Sequence, residues 1–197
     1  LIGTITDAGH LYPENQKFIE EKLKALGMTI EKFREEISSV VTNTLAYFDN
    51  DPEKAFSILD EIDSIEEIQS LRQYSEPLEN EIEKFIEEFE NKKEKLGDVN
   101  FYYFNPHFKI KKTVAGIISQ GNPDEAFIFA STKEDGKHIS LSGRNAPQDK
   151  DMLQILRAGV EGLEDGNAGG HHAAAGGMIL AKDLEKFKKN IRNYMNS

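Results

Sequence analysis

Asn167-Ala168-Gly169-Gly170-His171-His172-Ala173-Ala174-Ala175-Gly176-Gly177 is the stretch on which the reading of this chain turns. Four glycines and four alanines remove nearly all side-chain bulk from around two adjacent histidines. Small residues let a backbone approach a ligand closely, and exposed amides beside a helix start suit a phosphate, to which the imidazoles can donate. The same composition also fits a Gly/Ala-packed strand–helix junction with incidental histidines. Around it, Asp149 to Glu164 reads as a helix, Gly176 to Ala181 as a strand and Asp183 to Met195 as a closing helix.

Further outward, Val99 to Phe104 is β-branched and aromatic, as a strand should be. Lys109 to Gln120 reads as a short helix ended by Gly121-Asn122-Pro123. Ala126 to Ser131 and His138 to Ser142 read as strands around the turn Glu134-Asp135-Gly136. Strands and helices alternating at this length predict a small α/β domain over residues 98–197. The second strand runs into Ser140-Leu141-Ser142-Gly143-Arg144-Asn145. At a strand end followed by Gly143, the side chains of Ser142, Arg144 and Asn145 could meet a phosphate, with Arg144 as a bidentate clamp. A surface arginine in an ordinary turn is the competing reading.

Residues 28–97 read as an acidic helical connector, and from Thr29 to Gly97 the prediction is entirely helical. Thr29, Asp51-Pro52, Ser64 with Glu67, and Ser75-Glu76-Pro77 are helix-opening patterns. Such helices brace domains or offer a docking face to a protein partner. Residues 1–27 read as a strand, a loop and a helix that stops at Gly27. The opening Leu1-Ile2-Gly3-Thr4-Ile5 has the composition of a buried strand interior, so further residues are expected upstream. An aspartate directly after such a strand, Asp7, would sit where metal ligands often do, although a helix cap or turn also explains it.

Composition narrows the class. Hydrophobic residues make up 38% and charged residues 30%, as in a globular chain with charged surfaces. The absence of cysteine removes disulfides, thiolate nucleophiles and Cys-based zinc sites, and fits a cytoplasmic protein. The net charge of −11 would disfavour nucleic acid if it were evenly spread. Residues 29–97 carry eight basic and nineteen acidic residues, whereas residues 98–197 carry thirteen and twelve. A basic cleft around Arg144 and His171, extended by Lys109, Lys111 and Lys112, is therefore compatible with the total.

In this order and spacing the segments resemble one family. Gly3-Thr4-Ile5-Thr6-Asp7, followed by Leu11 and Glu14-Asn15, resembles the last metal-binding motif of RecJ-type DHH phosphoesterases. Ser142-Gly143-Arg144 and Gly169-Gly170-His171…Ala174-Ala175-Gly176 are similar to the two hallmark motifs of the DHH-associated C-terminal domain. The abundance of Glu, Lys and Ile fits a thermophile, and archaeal RecJ-like proteins in particular. The resemblance implies an α/β architecture: the end of a DHH domain (1–27), the helical connector (28–97) and a mixed α/β substrate-binding domain (98–197). It implies hydrolysis of phosphodiester bonds in single-stranded DNA or RNA with two divalent ions, Mn2+ or Mg2+. Asp7 would be a metal ligand. Ser142, Gly143, Arg144, Asn145, Gly169, Gly170 and His171 would hold phosphates, with His172 secondary because the family pattern varies there.

The chain lacks the Asp-His-His triplet, which in that family lies upstream of the Asp7 motif and supplies metal ligands. It is therefore expected to bind substrate but to be inactive alone. A non-catalytic scaffold of a replication or repair complex is the alternative. The C-terminal module of alanyl-tRNA synthetases shares the Gly-Gly-His pattern but fits the Asp7 segment poorly.

Overall fold

The apolar opening of the chain folds as helix α1 (Ile2–Thr6), not as a strand, in a computed structural model that describes residues 1–6 and 9–196. A stretch of five residues is too short for periodicity to separate strand from helix. Packing decides instead: the Ile5 N–H donates to the Leu1 carbonyl (3.0 Å), and the Ile5 side chain is buried with Ile19, Leu23, Phe33, Ile37 and Val40.

This N-terminal unit runs to Glu81. Helix α2 (Pro13–Leu26) ends at Gly27, whose φ of 63° lets its N–H reach back to the Leu23 and Lys24 carbonyls. Helix α3 (Ile30–Phe33), capped by Thr29 Oγ1, continues through a π turn (Arg34–Ser38) into α4 (Ser39–Tyr47). Asp51 caps α5 (Pro52–Asp60), its carboxylate accepting from the Lys54 N–H (3.1 Å). Ser64 and Glu67 open a 3-10 turn (Glu66–Leu71), although Glu67 accepts from the Asp63 N–H and not from that of Ser64. The long helix α6 (Arg72–Lys92) begins at Arg72 rather than Ser75, and Pro77 lies inside it.

The second compact unit begins at Ile82. Helical structure stops before the predicted limit at Gly97, because Glu94–Leu96 forms strand β1. Only Leu96 of these three is buried, so the alternation gives no strand signal; pairing with β2 (Val99–Tyr103) makes the strand. The two-residue turn Gly97-Asp98 joins them, with Gly97 at φ 64°. Helix α7 (Lys111–Gly121), β3 (Ala126–Thr132), β4 (His138–Asn145), α8 (Met152–Val160), β5 (Asn167–Gly170), β6 (Ala174–Leu180) and α9 (Leu184–Met195) follow. The fold is α/β, with one six-stranded sheet ordered β1-β2-β3-β4-β6-β5. Among the described residues, only β2 and β3 pair in parallel, with α7 as their crossover.

Alternation along the strands divides the sheet into two faces. Leu96, Phe101, Ile128, Ile139, Leu141 and Ile179 face α8 and α9, meeting Ile155, Leu156, Phe187 and Ile191 in one core. Full burial of a side chain such as Phe187 or Ile191 is worth about 1.5–3 kcal/mol. Gly159 makes that helix packing close, since a Cβ there would lie 2.4 Å from the Phe187 ring. On the opposite face, Phe85 and Phe89 of α6 meet Tyr102, Phe104 and Phe127. The buried Tyr102 hydroxyl donates to the Phe85 carbonyl (2.9 Å), and burial pushes its pKa up to about 12.

Candidate nucleic-acid interface

Strand β4 positions the site. It extends three residues beyond the predicted end at Ser142, so Ser142, Gly143, Arg144 and Asn145 lie within the sheet and not in a turn after it. Its burial alternates strictly: Ile139, Leu141, Gly143 and Asn145 are buried, while His138, Ser140, Ser142 and Arg144 are half-exposed. The aromatic residues of α6 cover this second face over β2 and β3, and α7 packs against β3. Over β4, β6 and β5 it is partly open.

The glycine-rich stretch is a hairpin, β5 and β6, whose turn is His171–Ala173; it does not run directly into a helix. In space it lies beside the start of α8, whose Met152, Leu153 and Gln154 amides are already bonded to the His172 carbonyl and the Asp151 carboxylate. The His172 carbonyl accepts from the N–H of Met152, the first residue of α8 (2.8 Å), and the Ala173 carbonyl accepts from the Asn145 N–H (2.9 Å). Register then brings the two motifs side by side. Phe127, Arg144 and Ala174 share one cross-strand row, Phe129, Ser142, Gly176 and Gly169 the next, and Ser131, Ser140, Met178 and Asn167 the third. Gly176 and Gly169 are both exposed and give the middle row a floor without side chains.

The half-buried Arg144 guanidinium donates from Nη1 to the Gly143 carbonyl (2.9 Å) and joins no ion pair with a described residue. The exposed His171 ring makes no hydrogen bond to a described residue. His172 is tethered instead: Nε2 lies 2.9 Å from the Gln148 carbonyl and Nδ1 3.4 Å from the Asp151 carboxylate. Gln148 is held at φ 58°. Asp151 also caps α8, and the Gln154 N–H, with the His172 charge and the Leu153 N–H adding to it, holds its carboxyl below the usual range.

Gly143 and Asn145 do not reach the open face. Gly143 points at Met152, and the buried Asn145 side chain donates to the Lys150 carbonyl (2.9 Å), fixing the loop that leads to α8. Gly170, at φ 128°, serves the hairpin, because a Cβ there would fall 2.7 Å from Ala175 Cα. Lys111 adds to the open face, its ammonium hydrogen-bonded to Ser140 Oγ. Burial first, and then the charges of Arg144, Lys112 and Lys133, push the Lys111 pKa down. Lys109 lies 4.0 Å from Glu134. Lys133 and Ser140 carry no motif of their own; only the pairing of β4 with β3 and β6 places them beside the others.

Residues 98–197 match the DHHA1 domain. The chain belongs to the DHHA1 domain family. Its fold is similar to part of RecJ: the chain matches over 88% of its length RecJ from Thermus thermophilus in complex with Mg2+ (TM-score 0.60, 16% identity), covering 27% of that chain. It is similar over 88% of its length to an exonuclease RecJ bound to manganese (TM-score 0.58, 13% identity), covering 44% of that chain. A DHH-domain member of the s1p family of ribosomal proteins matches over 93% of this chain and 46% of its own (TM-score 0.54, 15% identity). The chain thus spans less than half the length of each, and at these identities the likeness is one of fold. Among curated proteins, none matches the chain in sequence.

Among the described residues, no three His, Asp or Glu side chains come together as a metal site, so that donor set does not fit the two ions the RecJ resemblance implies. Asp7 lies outside the described residues. Among the described residues, no helix is long and apolar enough to cross a membrane.

Proposed function

We propose that this DHHA1 domain grips the phosphate backbone of single-stranded DNA or RNA for metal-dependent phosphodiester hydrolysis of the RecJ type. The observation that carries the reading is the convergence of Ser142, Arg144, Gly169, Gly176 and the His171 turn on one open stretch of sheet. Arg144 supplies a fixed fork of donors for phosphate oxygens, and Ser142 a hydroxyl beside it. The glycine floor lets a polynucleotide backbone lie close to the strands. Base edges are not needed for such a grip, so binding is tolerant of sequence and sensitive to salt. The cation cluster on this face works within an acidic chain because the acidic excess lies in residues 29–97.

Hydrolysis would require two divalent ions, manganese or magnesium, with Asp7 as one ligand and the others outside this chain. The chain alone then binds without cleaving. Fluorescence anisotropy with a labelled single-stranded oligonucleotide tests the reading. Arg144→Ala should weaken binding by more than about 1 kcal/mol, the low end for a charge-assisted contact. Unchanged affinity would remove Arg144 from the interface.

A further inference from the structure

The third cross-strand row of the open face lies beyond the motifs that define the proposed grip. Its members are Ser131, Ser140, Met178 and Asn167. Two lysines from different elements converge on it. Lys111, at the start of α7, donates from Nζ to Ser140 Oγ and lies 3.5 Å from the Ser140 carbonyl. Lys133, just past the end of β3, places its exposed Nζ 3.9 Å from Met178 Sδ, and Met178 pairs directly with Ser140. Ser131 Oγ stands 3.4 Å from Ser140 Oγ.

Neither Lys111 nor Lys133 forms an ion pair with a described residue. Lys111 is half-buried, yet the neighbours that act on it are the cations Arg144, Lys112 and Lys133, with no carboxylate of comparable effect among the described residues. Like charges held together at a half-buried position are costly unless an anion joins them. Ser140 and Ser142 are two residues apart on one face of β4, a separation of about 6.8 Å. That step is comparable to one backbone repeat of an extended single strand.

We infer that Lys111, Lys133 and Ser140 form a second phosphate subsite, one nucleotide along from the phosphate held by Ser142 and Arg144. The inference rests on the proposed grip and extends it: the minimal ligand presents two consecutive phosphates, as a 5′-phosphorylated dinucleotide does and a nucleoside monophosphate does not. Ser140 donates its hydroxyl to the second phosphate while the two ammonium groups balance its charge. Arg144, two cross-strand rows from Ser140, serves the first phosphate.

Competition against a labelled oligothymidine measures both ligands. With 5′-phosphorylated thymidine dinucleotide as competitor, Lys111→Met and Lys133→Ala should each weaken binding about 5- to 10-fold. With thymidine 5′-monophosphate each should change it less than about twofold, whereas Arg144→Ala weakens both. Against salt, each lysine variant should flatten the slope of log affinity for the oligothymidine by about 0.7. Lys133 is exposed, so its replacement leaves the core intact and serves if Lys111→Met unfolds the chain. Equal losses for the two competitors, or no loss for either lysine variant while Arg144→Ala still acts, would overturn the second subsite and leave the proposed grip standing. A folded wild-type chain that fails to bind oligothymidine overturns both.

Discussion

Gly176 and Gly177 are neighbours on β6 that should respond oppositely to the same added methyl group. At Gly176 a Cβ would meet only the Leu141 carbonyl oxygen, at 3.7 Å, an ordinary contact. At Gly177 it would stand 2.7 Å from the Asn167 carbonyl oxygen on β5, so one strand must shift. Relief of glycine's backbone entropy favours alanine at either position by about 0.5–1 kcal/mol. That gain is common to both variants and cancels in their difference, which leaves the overpacking cost at Gly177 of about 1–3 kcal/mol. For a unit of this size 1 kcal/mol corresponds to about 4 °C in Tm. Gly177→Ala should therefore melt about 4–12 °C below Gly176→Ala, with Gly176→Ala at or above the wild type. Parallel thermal melts followed by circular dichroism measure the difference. If Gly176 is glycine because a ligand lies over it, Gly176→Leu should keep the fold and lose oligonucleotide affinity by more than about tenfold. Equal destabilisation by the two alanine variants would refute the open floor. Wild-type binding by folded Gly176→Leu would refute the path of the ligand across it.

Three other outcomes are expected. The Asp135 carboxylate accepts from His138 Nδ1 (2.6 Å) and from the Lys137 and His138 N–H groups, and the His138 ring above all holds its pKa well below the usual range. A depressed pKa means that the stabilisation of this turn is present above the ordinary carboxylate value and is lost as the pH falls below it. Amide exchange at Lys137 and His138, corrected for intrinsic rates, should be protected near neutrality and released in acid. Asp135→Asn should release it at neutral pH, and undiminished protection in that variant would remove the turn's dependence on the carboxylate. Gly159→Ala drives a methyl to 2.4 Å from Phe187 and 2.6 Å from Ile191, both fully buried, and should cost about 1–3 kcal/mol in a denaturant titration; an unchanged midpoint would mean that α8 and α9 pack less closely. In a longer protein that contains this segment and degrades oligonucleotides with manganese, Asp7→Ala should abolish turnover, and wild-type rates would end its role as a ligand.

The elements most legible in the sequence are those whose local signals agree with their packing. Val99–Tyr103 and Ala126–Thr132 are rich in β-branched and aromatic residues and form strands within a residue or two of their expected limits. Thr29 and Asp51 cap their helices as expected, because cap chemistry is local. The misreadings arise where distant contacts decide. Leu1–Ile5 has strand composition but forms a helix among buried residues of α2, α3 and the π turn. Glu94–Leu96 looks like the tail of an acidic helix and becomes a strand by pairing. Asn167–Gly170 has almost no side chains to carry a pattern, so its pairing with β6 was invisible. At the candidate site, Arg144 and His171 are the residues to which the motifs point. That Asn145 turns inward to the Lys150 carbonyl, and that Lys133 arrives beside Met178, follow only from register.

Strict alternation along β4 also bears on how such a domain can be remodelled. The same eight residues supply core contacts through Ile139 and Leu141 and the half-exposed side chains of Ser140, Ser142 and Arg144 on the other face. An insertion or deletion of one residue within the strand would exchange the two sets, sending the guanidinium into the core and an aliphatic chain to the surface. Under the proposed grip, changes in reach along a polynucleotide come in pairs of residues, or from the lysines at the strand margins. Lys111 and Lys133 are where laboratory variation of ligand length can begin without rewriting the interior.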